Sequence, residues 1–113
     1  MRTSKAAKLL ALTCAVAVAA TVYAATVTVT GRAYNGTYSL QPGDQVMVRW
    51  PNGAGGYNVS YHPTAYGQFS DAMPDNVIAT AKILDVNYAQ VSDVAAIATY
   101  QTNHFPNLYR RVP

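Results

Sequence analysis

Residues 38–50, YSLQPGDQVMVRW, constrain the fold more than any other stretch of the chain. Proline presets φ near −65° and glycine accepts positive φ, so Pro42-Gly43 suits the central positions of a type II turn. From Gln45 the residues alternate. Val46, Val48 and Trp50 fall on one side, Gln45, Met47 and Arg49 on the other. Alternation of this kind marks a half-buried strand, with Val46, Val48 and Trp50 facing the core.

Residues 25–30, ATVTVT, alternate in the same way and predict a first strand with a wet threonine face and Val27 and Val29 inside. Gly31 marks a bulge or bend. Asn35-Gly36, between Ala33-Tyr34 and Thr37-Tyr38, is a strong type I′ hairpin signal, so a second strand running to about Leu40 is expected. Residues 51–56 hold a proline and three glycines and read as a flexible loop. Tyr57, Val59 and Tyr61 then alternate with Asn58, Ser60 and His62 in a further strand that Pro63 stops. Residues 63–76 have no period and read as a long loop of the kind that often carries function.

The C-terminal third is ambiguous. Residues 76–86 fit a strand with Val77, Ala79, Ala81 and Ile83 on one face, and equally a helix. Residues 92–103 fit a helix capped by Ser92 or Asp93, and equally a strand. Composition arbitrates. After residue 24 the chain has ten Val, eight Thr and eight Tyr against three Leu, one Lys and no Glu. Exposed helical faces are built largely from Glu, Lys, Gln and Arg, so strands are favoured. The expected fold is mostly β: a small antiparallel sandwich or barrel of about six or seven strands. The alternative is α+β with a C-terminal helix near 92–103.

Residues 1–24 read as a signal peptide. Arg2, Lys5 and Lys8 form a basic start, 9–22 are apolar, and Val22-Tyr23-Ala24 suits cleavage. The competing reading is an uncleaved anchor, which would be the chain's one route to a membrane. Residues 25–113 then form a single exported domain, periplasmic or extracellular. Its five cations balance its five aspartates, so the basic character of the whole chain belongs to the first segment. A neutral domain lacks the electrostatic footprint for a phosphate backbone, and no nucleic-acid partner is expected. The Arg110-Arg111 pair reads as a solvated tail. The single cysteine, Cys14, leaves with the signal, and an exported domain without disulfides fits a bacterial envelope. The sequons at Asn35 and Asn58 are accordingly read as turn and strand chemistry.

Catalysis has little to stand on. Ser60 or Ser70, His62 and Asp71 can be drawn as a triad, but no nucleophile-elbow pattern surrounds either serine. There is no Cys-x-x-Cys, His-x-His or EF-hand pattern, so no metal or cofactor is expected. Aromatics are more informative. Tyrosine displayed beside Gly, Ser and Asn gives large contact area at low entropy cost, with a directed hydroxyl. The candidate binding residues are Tyr57, Tyr61, His62, Tyr66 and Phe69, in and around Tyr/Gly-rich loops at 52–70. The competing reading places Tyr57 and Tyr61 in the core with their hydroxyls at its edge. The expected function is a non-catalytic module of the envelope or extracellular space that recognises a protein or glycan, with self-association through strand edges as a sub-case. The alternatives are a small secreted hydrolase using His62 and a membrane-anchored envelope or phage assembly protein.

Overall fold

The computed structural model describes residues 25–113. Residues 1–24, read above as a signal peptide, lie outside the described residues. Seven strands form two sheets: β1 (Thr26–Asn35), β2 (Gln45–Pro51), β3 (Tyr57–Pro63), β4 (Gln68–Pro74), β5 (Ile78–Leu84), β6 (Ala95–Ala98) and β7 (Leu108–Arg110). The order is β4-β1-β7 in one sheet and β3-β2-β5-β6 in the other. All pairs are antiparallel except β1 with β7, which is parallel. The chain is therefore mostly β, as its composition implies. Among the described residues no helix is long and apolar enough to cross a membrane.

The core lies between the sheets. Val29 and Ala33 of β1, Val46 and Val48 of β2, Phe69 and Met73 of β4, and Ala79, Ala81 and Ile83 of β5 are buried there with Val91, Ile97, Phe105 and Leu108. The faces expected for β1, β2 and β5 are the faces observed, with Trp50 half-buried at the margin. Period-two patterning orients these three strands, whose inner sides are built from aliphatic residues. The Pro42-Gly43 turn also forms. Asp44 N–H donates to Gln41 C=O at 3.0 Å, and Gly43 has φ 89°.

Other expectations are corrected. Asn35-Gly36 makes no hairpin: β1 runs straight through to Asn35, and residues 36–44 form no strand. A type I′ turn needs positive φ at both central residues, and neither Asn35 nor Gly36 has it. Gly36 serves close approach instead. A Cβ there would stand 2.4 Å from the carbonyl oxygen of Arg110, against which this segment is laid. Tyr38 N–H then donates to that oxygen, and the Asn35 side chain accepts from Leu40 N–H. Gly31 marks no bulge. It stands in unbroken register with Phe69, whose ring occupies the space a side chain would need, with Cζ 2.2 Å from an added Cβ.

The segment 63–76 is not a loop. A 3₁₀ turn, Thr64–Tyr66, leads directly into β4. Its inward residues are Phe69, Asp71 and Met73, and the central carboxylate hides the alternation. The helix near 92–103 does not form either. Ile97 and Ala95 are buried in β6, which pairs with β5. Ser92 and Asp93, the expected caps, are committed elsewhere: Ser92 Oγ accepts from Ile83 N–H at 2.7 Å, and Asp93 meets Arg111 at 3.3 Å. Tertiary pairing outweighs the weak helical preference of an alanine-rich segment. The solvated-tail reading of Arg110 is also overturned. Its guanidinium is buried and holds both carboxylate oxygens of Asp44, at 3.0 and 2.8 Å.

Candidate functional site

Strand β3 is built back to front relative to its neighbours. Its apolar residues, Tyr57, Val59 and Tyr61, point to solvent, while Asn58, Ser60 and His62 share a side with Val46, Val48 and Trp50 of β2. None of the buried core residues comes from β3. The core reading of Tyr57 and Tyr61 is thereby corrected: they are 57% and 49% exposed. The reason lies across the seam between the sheets. Asp71 of β4 points inward, and a carboxylate leaving water needs hydrogen-bond donors. Ser60 and His62 supply them.

At that seam, Ser60 Oγ lies 2.7 Å from Asp71 Oδ2, and His62 Nε2 lies 2.8 Å from the same oxygen. Ser60 Oγ and His62 Nε2 are 3.1 Å apart. The three residues of a hydrolytic triad are thus together, with a different wiring. In a working triad one ring nitrogen faces the serine and the other the carboxylate. Here both contacts converge on Nε2. A carboxylate only accepts, so the serine hydroxyl and Nε2–H both donate to Asp71, and Nε2 has no lone pair left for the serine proton. This wiring fastens β3 to β4. The His62 ring also stacks on Phe69 at 5.7 Å, and Phe69 packs on Phe105 at 6.0 Å.

The five sequence candidates therefore divide. His62 and Phe69 belong to the seam and core. Tyr66 stands alone on the 3₁₀ turn, 78% exposed. Tyr57 and Tyr61 remain as outward aromatics on the four-stranded sheet. There they are joined by residues the sequence did not single out. Arg49 lies over the Tyr57 ring, its Cζ 4.4 Å from the centroid, a cation–π arrangement. Tyr88 meets Tyr61 edge-on, with centroids 6.1 Å apart.

Tyr88 is the sole non-glycine described residue with positive φ, at 63°. A left-handed tyrosine costs about 1–2 kcal/mol. It sits in a turn tied by Asp85, whose side chain accepts from Asn87 and Ala89 N–H. No sequence signal marks it, since Asn87 beside it is the more natural left-handed residue. Arg49 was within reach: the β2 alternation puts it on the outward face, and its register partner is Val59. The cross-strand registers align Tyr57 with Pro51, Val59 with Arg49 and Thr80, and Tyr61 with Met47 and Lys82. The strand residues of this face carry two cations, Arg49 and Lys82, and no carboxylate. The hairpin loop at its margin is ordered by Asn52, whose Oδ1 accepts from Ala54 and Gly56 N–H. No group of three His, Cys, Asp or Glu placed to hold a metal occurs among the described residues. No family model, curated protein or solved structure is matched by this chain.

Proposed function

We propose that this protein is a non-catalytic binding module whose partner, a protein or a glycan, docks on the outward face of the four-stranded sheet. The observation that carries the reading is Tyr88, held in a costly left-handed conformation with its ring edge-on to Tyr61 of the outward sheet face. Backbone strain of this kind clusters at functional sites. Tyr57, Val59 and Tyr61 extend the same surface, and Arg49 lies against it. An aromatic platform whose strand residues include two cations and no carboxylate suits a partner rich in hydroxyls or acidic groups.

Combined replacement of Tyr57, Tyr61 and Tyr88 by alanine tests this. Binding to immobilised cell-surface polysaccharide and to envelope protein extract is compared with that of the unaltered chain. Loss of the anchors should weaken capture by at least about 2 kcal/mol, roughly 30-fold, while the far-ultraviolet circular dichroism is preserved. Equal capture by the folded variant would remove the reading. Phe69 has no place in such a variant, because it is core.

The module is also proposed to work outside the cytoplasm, on the three-part pattern of residues 1–24. Intact mass of the native protein should give a soluble species beginning at Ala25. A full-length species confined to membranes would instead favour the anchored assembly protein.

A further inference from the structure

The two sheets end in four edge strands, β3, β4, β6 and β7. Exposed edges invite pairing with another chain, and proteins blunt them with short strands, bulges or charges. Strands β6 and β7 are short, with four and three residues. Strand β4 carries the inward carboxylate of Asp71. Strand β3 has none of these devices along Tyr57–His62, and its one proline, Pro63, stands at its last position. It is seven residues long, paired with β2 in continuous register, and contains no Asp, Lys or Arg.

The hydrogen-bond phase of β3 follows from the bonds at the two ends of its ladder with β2. Asn52 N–H donates to Gly56 C=O, and Thr64 N–H to Asp44 C=O, each at 3.1 Å. In an antiparallel pair the bonded positions alternate, so Asn58, Ser60 and His62 bond to β2. Tyr57, Val59 and Tyr61 therefore direct their N–H and C=O groups to the free edge. The sequence YNVSY around them is symmetric in character: tyrosine, polar, valine, polar, tyrosine.

We propose that a second copy of this chain pairs antiparallel along β3, with Val59 on the two-fold axis, to give a continuous eight-stranded sheet. Val59 then faces Val59 of the other copy, and Tyr57 faces Tyr61. All three edge-facing residues find bonded partners, giving about six main-chain hydrogen bonds. Asn58 meets Ser60 on the inner side, and no like charges are opposed. An isologous interface needs such self-complementarity. An axis shifted by one residue toward the C-terminus would set Tyr57 against Pro63, which has no N–H to give. The pairing uses the edge and leaves the outward tyrosines in view, so it does not rest on the partner-binding reading. It would double that platform.

Sedimentation velocity on the full chain, at loadings from about 1 μM to about 1 mM, reads the association directly. The unaltered chain should show a concentration-dependent dimer. Val59→Lys should be monomeric throughout with unchanged circular dichroism, because Val59 is 45% exposed and its new charge would face its own copy. Thr28→Lys, on the outward face of the other sheet, should dimerise like the unaltered chain. In a Cys14→Ser background, Val59→Cys should form an intermolecular disulfide on mild oxidation, since bonded cross-strand positions lie about 5.5 Å apart. A monomer at every loading, a dimer indifferent to Val59→Lys, or no crosslink at position 59 would each overturn the proposal.

Discussion

Arg110→Ala should lower the unfolding free energy by about 3–5 kcal/mol. The guanidinium is almost fully buried and makes two hydrogen bonds to Asp44, while its Nε donates to Val112 C=O. Asp44 in turn accepts from Gln41 N–H, and its carbonyl accepts from Thr64 N–H. One ion pair thus ties the end of the chain to the β2 entry turn and to the 3₁₀ turn before β4. Removing the cation leaves a buried carboxylate short of donors, a large cost in a domain whose total stability is about 5–15 kcal/mol. Urea denaturation would show the loss as a lower midpoint. In a thermal scan each kcal/mol corresponds to about 4–8 °C for a domain of this size. Asp44→Asn should be comparably harmful, because it leaves the guanidinium unpaired. The double replacement Asp44→Leu/Arg110→Met should recover part of the loss, as apolar substitutes for a buried pair often do. A change below about 1 kcal/mol for Arg110→Ala would mean that the pair is solvated and contributes like a surface salt bridge.

Phe105→Ala is expected to cost a similar amount, about 3–5 kcal/mol. Phe105 is fully buried and closes a stack that runs through Phe69 to His62. Its N–H donates to Thr30 C=O, and Thr30 N–H donates to Asn103 C=O, so its segment is stitched to β1 at the point where Gly31 admits the Phe69 ring. Deleting the ring opens a cavity beneath that contact, and the two flanking backbone bonds limit how far the segment can collapse into it. Phe105→Leu, which keeps most of the volume, should cost less than about half as much. Tyr66→Ala, at an exposed position, should stay within about 0.5 kcal/mol and serves as the comparison in the same urea titrations. If Phe105→Ala fell in that narrow range, the stack would not be the centre of the core.

The fold class, the inner faces of β1, β2 and β5, and the Pro42-Gly43 turn were legible in the sequence. Each is a local matter. Period-two patterning reports which side of a strand is apolar, and proline and glycine report backbone angles whatever surrounds them. Tertiary structure set which way β3 faces, because its alternation is equally regular in either orientation and the Asp71 carboxylate across the seam draws Ser60 and His62 inward. It decided that Asn35-Gly36 lies flat against Arg110 rather than turning back, because the close neighbour is 74 residues distant in the chain. Asp44 and Arg110 found each other over 66 residues, Ser60 and Asp71 over 11, and Tyr88 joined Tyr61 through a turn that no local preference marks. Of the five sequence candidates, Tyr57 and Tyr61 lie on the proposed platform, His62 and Phe69 are taken into the seam and core, and Tyr66 stands apart on the 3₁₀ turn. Composition names the aromatics, and the pairing of strands distant in sequence decides which of them reach solvent together.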